Sequence, residues 1–399
     1  MLLSSRQAST GIRAAGAGQH RVMVVDDSAV IRGLITRILE SEPDIQVVSS
    51  VGDGKMAVAA ITRQPVDVVV LDIEMPVMTG LEALPLLLKA CPTAKIVMAS
   101  TLTKKNAEIS VRALELGATD YVPKPSAVRD IHAGDLFKRE LVEKVRALAK
   151  AARAGSSGAS RPAVPGRAVT YQADRRPQVP ASAAGSMRAA RAAVPPAKAS
   201  TLAANFRPKI IAIGSSTGGP QALFEVLSHL ATGISVPIVV TQHMPPTFTT
   251  ILAEHITRQC GVRAAEGQAG EALVGGRLYL APGDFHMTIQ GNAAAATVQL
   301  DQSAPVNFCR PAVDPMLESV VKVFGSSVVA VILTGMGHDG MAACRLVAGA
   351  GGMVVAQDEA SSVVWGMPGA VAGDGTANAI LPLREIGPYI RKVASKAAA

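Results

Sequence analysis

Aromatic residues are scarce, with one Trp, four Tyr and seven Phe in 399 residues. A surface that stacks nucleic-acid bases needs such rings, so their shortage argues against nucleic-acid binding. The four cysteines (Cys91, Cys260, Cys309, Cys344) form no C-x-x-C pair. That spacing suits neither a zinc site nor a disulfide framework, and a reducing cytoplasm is the expected compartment. Long apolar runs are missing too. Leu346–Ala356 is among the longest and is too short to span a bilayer, and the opening Met-Leu-Leu-Ser-Ser-Arg has no signal-peptide core. A soluble protein with no membrane insertion is expected, and its length calls for two or three globular units.

The formal charge of +8 invites a nucleic-acid or membrane reading until it is located. By segment it is +2 over 1–20, zero over 21–150, +7 over 151–204 and −1 over 205–399. The basic excess therefore lies in a stretch holding 18 Ala and 6 Pro with Tyr171 as its single aromatic, which cannot build a core. Both foldable regions are near neutral, and no nucleic-acid partner is expected.

Residues 1–20 are small, polar and aperiodic, and are expected to be a disordered extension. From 21 to 150 short apolar runs (Val22–Val25, Val66–Leu71, Ile96–Ala99) alternate with stretches of helical spacing, which predicts a parallel sheet with helices on both faces. After the linker the alternation resumes, with strands expected at Lys209–Ile213, Pro237–Thr241 and Val328–Leu333. The stretch Arg277–Leu300, with Pro282-Gly283 and Gly291-Asn292, reads as short hairpin strands inserted into that second sheet.

In parallel α/β folds, side chains that act on ligands gather beyond the carboxyl ends of the strands. Asp26, Asp27, Asp72 and Ser100 all fall there. Three carboxylates brought together would repel without a divalent cation, and Mg²⁺ favours such an all-oxygen set. Lys124, on a further strand-end loop, can pair with a phosphoryl group, aimed by a cis Lys124–Pro125 bond. The plainer reading of any one of these acids is a helix cap or a solvated side chain.

Val24-Val-Asp-Asp-Ser28, Val70-Leu-Asp-Ile-Glu-Met-Pro76, Ser100 after Met98-Ala99 and the Lys124-Pro125 pair together resemble the receiver domain of bacterial response regulators. The resemblance implies a flavodoxin-like doubly wound α/β domain over residues 21–140. It also implies that Asp72 accepts a phosphoryl group from a histidine kinase. Asp26, Asp27 and Asp72, with the backbone carbonyl of Glu74, would hold Mg²⁺. Lys124 and Ser100 would contact the phosphoryl oxygens, and Tyr121 would follow their movement.

Ile213-Gly-Ser-Ser-Thr-Gly-Gly-Pro220 follows an apolar run and places two serines at a strand-to-helix turn, with Pro220 suited to the first helical turn. It matches neither G-x-x-x-x-G-K-[ST] nor G-x-G-x-x-G, which disfavours a nucleotide loop. A serine nucleophile needs an imidazole to take its proton and a carboxylate to orient the imidazole. His243 and Asp339 lie just past the second and third expected strands of this half. Each alone has a plainer reading, as a polar surface residue or a helix cap.

Six motifs in order carry more: Ile213-Gly-Ser-Ser-Thr-Gly-Gly219, Gln242-His-Met-Pro245, Ala281-Pro-Gly-Asp-Phe-His286, Arg310-Pro-Ala-Val-Asp314, Leu333-Thr-Gly-Met-Gly-His-Asp-Gly340 and Gly366-Met-Pro-Gly369. They resemble the chemotaxis protein-glutamate methylesterase family. The resemblance implies a second doubly wound α/β domain over 205–396, joined to the receiver by a helix end and flexible linker over 141–204. It makes Ser216 the nucleophile, His243 the base, Asp339 its orienting acid and the Met336 amide an oxyanion donor. The substrates would be glutamate methyl esters on the cytoplasmic helices of chemoreceptors, with receptor glutamine deamidation by the same acyl chemistry and no cofactor for ester cleavage. His286 and Arg310 are expected to be structural or substrate-contact residues. His338 departs from the family pattern, where many members carry Asn, and so do the long linker and the N-terminal extension. The chain order Ser, His, Asp and the lack of a G-x-S-x-G elbow disfavour an ordinary esterase. The competing reading is a phospho-switched module that binds the receptor without catalysis, and methanol release separates the two.

Overall fold

The structure, a computed structural model, describes residues 19–101, 103–124, 131–157, 206–231 and 234–395. Most of the expected N-terminal extension, the Lys124–Pro125 bond and most of the expected linker lie outside the described residues.

The N-terminal half runs β1 (His20–Val25), α1 (Ala29–Glu40), β2 (Ile45–Val51), α2 (Gly54–Arg63), β3 (Val68–Asp72), α3 (Gly80–Ala90), β4 (Lys95–Ser100), α4 (Lys104–Glu115), β5 (Asp120–Pro123) and α5 (Ile131–Ser157). Its five strands are all parallel in the order β2-β1-β3-β4-β5. The order reverses at β1/β3, which opens a crevice at their carboxyl ends. β3 and β4 read as unbroken apolar runs because helices cover both sheet faces. Polar residues before α1, α2, α3 and α4 set their starts: Ser28, Asp53 and Thr103 accept from first-turn amides, and Thr79 with Glu82 forms a reciprocal capping box.

The C-terminal half runs β6 (Ile210–Ser215), α6 (Gly219–Ser228), β7 (Ile238–Gln242), α7 (Phe248–Cys260), β8 (Arg263–Glu266), β9 (Arg277–Leu280), β10 (His286–Asn292), β11 (Ala295–Asp301), α8 (Val313–Phe324), β12 (Val328–Ile332), α9 (Met341–Gly349), β13 (Met353–Gln357), α10 (Met367–Asp374), β14 (Ala379–Leu381) and α11 (Leu383–Ser395). Seven parallel strands form the sheet β14-β13-β12-β6-β7-β9-β8, whose order reverses between β12 and β6. Every residue of β6, β7 and β12 is buried. Each buried aliphatic side chain there contributes about 1.5–3 kcal/mol.

The expected hairpin is β10–β11, an antiparallel pair apart from the main sheet. Arg277–Leu280 differs from the expectation. It is β9, parallel to β7 and β8, because Leu278, Tyr279 and Leu280 are all buried and so need cover on both faces.

The two halves meet along α4, β5 and α5 of the first. Tyr121 stacks on Phe248 with ring centroids 4.5 Å apart and planes 16° from parallel. Glu115 pairs with His255, and Gln221 donates to the Ala118 carbonyl. Val363 and Val364 pack against the apolar cluster that includes Phe137 and Leu141 of α5.

Candidate active site and phosphoacceptor site

Asp26 and Asp27 follow β1, Asp72 ends β3, and one carboxylate oxygen from each lies within 4.8 Å of the other two. Lys124, at the end of β5, reaches Asp26 Oδ2 at 2.7 Å and Asp72 Oδ1 at 2.6 Å. Asp72 Oδ1 also accepts from the Ile73 amide at 2.7 Å. Burial pushes the Asp72 carboxyl above its ordinary range; Lys124 opposes that shift and Asp26 adds to it. Three close carboxylates balanced by one ammonium suit a hard divalent cation. The exposed Glu74 side chain pairs with Lys105 at 2.8 Å. The Ser100 hydroxyl is buried against Ser110 of α4 at 3.0 Å rather than bonded to Asp72.

In the second half, Ser216, His243 and Asp339 stand beyond the ends of β6, β7 and β12, on either side of the β12/β6 reversal. Pairing Ser215 with Gln242 sets Ser216 beside His243, and the His243 amide donates to the Ser215 carbonyl at 3.1 Å. Gln242 fixes the turn by accepting from Ser215 Oγ at 2.7 Å and donating to the Ser216 carbonyl at 3.0 Å. Only glycine fits at 219, since a Cβ there would lie 2.0 Å from Gln242 Oε1. At Gly335 a Cβ would meet Ser216 Cβ at 2.9 Å, so this glycine brings the β12 loop against the serine. Neither the Thr217 nor the Met336 amide has a hydrogen bond among the described residues, which leaves two donors flanking Ser216.

His243 Nε2 lies 2.8 Å from Asp339 Oδ2. Asp339 is 2% exposed and also accepts from the Val313 and Asp314 amides, so it caps α8, which has no side-chain cap of its own. Burial pulls the His243 imidazole down, but Cys309 and Asp339 outweigh it and the imidazole is pushed up to about 10. Asp339 is held down at about 2 despite its burial, by His243, the Val313 amide and Asn307.

Ser216 Oγ makes no hydrogen bond to His243 among the described residues. The second ring nitrogen, Nδ1, instead faces the Cys309 thiol at 3.4 Å. Thus the imidazole and the carboxylate are brought into contact, while the serine stands next to them on the adjoining strand end. His286 is buried between the Ala304 carbonyl and the Ala312 amide, and Arg310 pairs with Asp284 while donating to the Gln302 and Ser303 carbonyls. Both shape the loop leading into α8. His338 is exposed beside Asp339.

Sequence reasoning passed over Asn307 and Cys309. Asn307 Nδ2 donates to Asp339 Oδ1 at 2.9 Å and to Asp314 Oδ2 at 3.0 Å. The one usable signal was their place directly before the Arg310–Asp314 motif.

Two doubly wound domains, one with an acidic strand-end cluster and one with a serine beside a His–Asp pair, are the arrangement of a receiver joined to an α/β hydrolase. Comparison with known proteins gives the family. A model described as the response regulator receiver domain matches residues 22–134, and one described as CheB methylesterase matches residues 211–390. The chain is 58% identical to a protein-glutamate methylesterase/protein-glutamine glutaminase of group 2 operon from Rhodospirillum centenum, over 96% of each chain. It is likewise 58% identical to the protein-glutamate methylesterase/protein-glutamine glutaminase of Azospirillum brasilense, over 96% of this chain and 95% of that one. Among solved structures, the catalytic domain of Thermotoga maritima CheB methylesterase is 40% identical, with a TM-score of 0.45, covering 46% of this chain and 98% of that one. The chain belongs to the protein-glutamate methylesterase/protein-glutamine glutaminase family, with a receiver domain ahead of the methylesterase domain.

Proposed function

We propose that this chain hydrolyses glutamate methyl esters on the cytoplasmic helices of chemoreceptors, and deamidates receptor glutamines, when Asp72 is phosphorylated by a chemotaxis histidine kinase. It works in the cytoplasm; among the described residues no helix is long and apolar enough to cross a membrane. Residues 21–140 act as the receiver, 205–396 as the catalytic domain, and 141–204 as the helix end and linker between them.

The contact of His243 Nε2 with Asp339 Oδ2 at 2.8 Å, beside Ser216, carries this reading. With Asp339 ionised, Nε2 holds the proton and Nδ1 is the basic nitrogen. Ser216 Oγ attacks the ester carbonyl as its proton passes to Nδ1. The amides of Met336 and Thr217 receive the oxyanion, each donor contributing about 100- to 1000-fold. The imidazolium then protonates departing methanol, and water cleaves the acyl-enzyme by the same route. For a glutamine substrate, ammonia leaves in place of methanol.

In the receiver, the Asp72 carboxylate attacks phosphorus and the bond to the donor histidine breaks. Asp26, Asp27, Asp72 and the Glu74 carbonyl would hold Mg²⁺, which neutralises charge on the transferring phosphoryl group. Lys124 and Ser100 take phosphoryl oxygens, so Ser100 must leave Ser110. That movement would reach α4 and β5, whose contacts with Gln221, His255 and Phe248 hold the receiver against the catalytic domain.

The test is methanol release from methylated receptor by the full chain with and without a phosphodonor. Release that rises on phosphorylation, and fails to rise in Asp72→Asn, supports the reading. A chain that binds receptor and releases no methanol in either state is the non-catalytic module instead.

A further inference from the structure

Asn307, Phe308 and Cys309 are consecutive, yet each meets a different part of the machine. Val306 and Cys309 exchange backbone hydrogen bonds at 2.9 and 3.1 Å, which closes a two-residue turn with Asn307 and Phe308 at its tip. Both tip residues have positive φ, +50° and +64°. Asn adopts such a conformation readily; Phe does not, so the position is held for what its ring touches. Phe308 is 76% exposed, and the guanidinium of Arg139 on α5 of the receiver lies 3.6 Å from its ring centroid. On one side of it Asn307 holds Asp339, and on the other Cys309 meets His243 Nδ1 at 3.4 Å.

Proton placement gives this contact its meaning. The ring turns its Nε2–H to the Asp339 carboxylate and its Nδ1 to the Cys309 sulfur; in the docked chain the imidazole is charged, so Nδ1–H donates to that sulfur. Nδ1 must lose that proton and turn from the sulfur to Ser216 before it can act as the base.

We propose that Cys309 competes with Ser216 for the base nitrogen of His243, and that the receiver holds it there through the contact of Arg139 with Phe308. Withdrawal of α5 frees the turn, the thiol leaves Nδ1, and the serine hydroxyl takes its place. This inference rests on the serine-hydrolase reading and ties the docked receiver to the base nitrogen itself. Cys309 is here a positioning residue that acts through His243.

The test compares methanol release by the full chain, unphosphorylated and phosphorylated, for wild type, Cys309→Ala, Phe308→Ala and Arg139→Ala. Losing the thiol's hydrogen bond raises the unphosphorylated rate about 2- to 12-fold and lowers the activation ratio by a similar factor. Losing the ring or the guanidinium raises it about 2- to 5-fold. Selective ¹⁵N labelling of histidine gives a second readout: the Nδ1 resonance of His243 in unphosphorylated Cys309→Ala moves toward its position in the phosphorylated wild type. An unchanged activation ratio, or a fall in the unphosphorylated rate, overturns the proposal. Since Phe308 and Arg139 lie at the surface, their variants decide the matter if Cys309→Ala fails to fold. Absence of methanol release from phosphorylated wild type would instead sink the hydrolase reading itself.

Discussion

His243 and Asp339, 96 residues apart, are joined by a contact of 2.8 Å, and Asp339 meets the ring while capping α8. One carboxylate thus fixes both the tautomer of the base and the start of a helix. Asp339→Asn should therefore act twice. Catalysis falls about 10⁴-fold, because an amide no longer holds the proton at Nε2. Stability falls by about 1–3 kcal/mol, because both carboxylate oxygens accept from buried donors and the amide nitrogen that replaces one of them cannot. Methanol release and thermal melting measure the two effects separately.

The pH dependence follows from the same pair. The His243 imidazole is raised from 6.5 to about 10, so the charged form stabilises the fold fully below pH 6.5, and that stabilisation is lost as the pH rises through 10. Asp339 is lowered from 3.8 to about 2; its contribution is present above pH 3.8 and lost as the pH falls through 2. Denaturant titrations of the unphosphorylated chain should show stability declining between pH 6.5 and 10, and the decline should flatten in His243→Gln. An equally steep decline in the variant would assign the slope to other groups.

At the receiver, chelating divalent cations should abolish phosphorylation of Asp72 and leave the unphosphorylated methanol-release rate unchanged. Asp26→Asn together with Asp27→Asn should do the same. Incorporation of labelled phosphate from a small phosphodonor is the measurement. Phosphorylation at full rate in excess chelator would remove Mg²⁺ from the account.

The ring stack between domains is a further lever. Phe248→Leu keeps apolar bulk under Tyr121 and removes the aromatic pair, worth about 0.5–1.5 kcal/mol. The docked arrangement should weaken, and the unphosphorylated rate should rise about 2- to 12-fold. A rate unaffected by the change would mean that this contact does not hold the receiver in place.

Much of the fold is legible in the sequence because parallel strands buried on both faces leave continuous apolar runs such as Val328–Ile332, and acids or serines directly after those runs mark the strand ends. Asp26, Asp27, Asp72 and the serines after Ile213 stand out that way, whereas the choice of Ser216, His243 and Asp339 as a set rests on the resemblance of their motifs to the methylesterase family. Arg277–Leu280 misleads because short strands flanked by Pro-Gly and Gly-Asn turns look alike whether they pair within a hairpin or join a larger sheet. Cys309 and Asn307 escape altogether. Their loop has no periodicity, and their partners His243 and Asp339 lie 66 residues upstream and 32 downstream. The contact of Arg139 with Phe308 is also invisible in sequence, since it depends on how two separately folded halves are placed.

The most direct check is methanol release from methylated chemoreceptor by phosphorylated wild type and phosphorylated Ser216→Ala, with folding compared by thermal melting. The variant should melt like wild type and release methanol at least about 10³-fold more slowly. A Ser216→Ala chain that releases methanol at the wild-type rate would contradict the account.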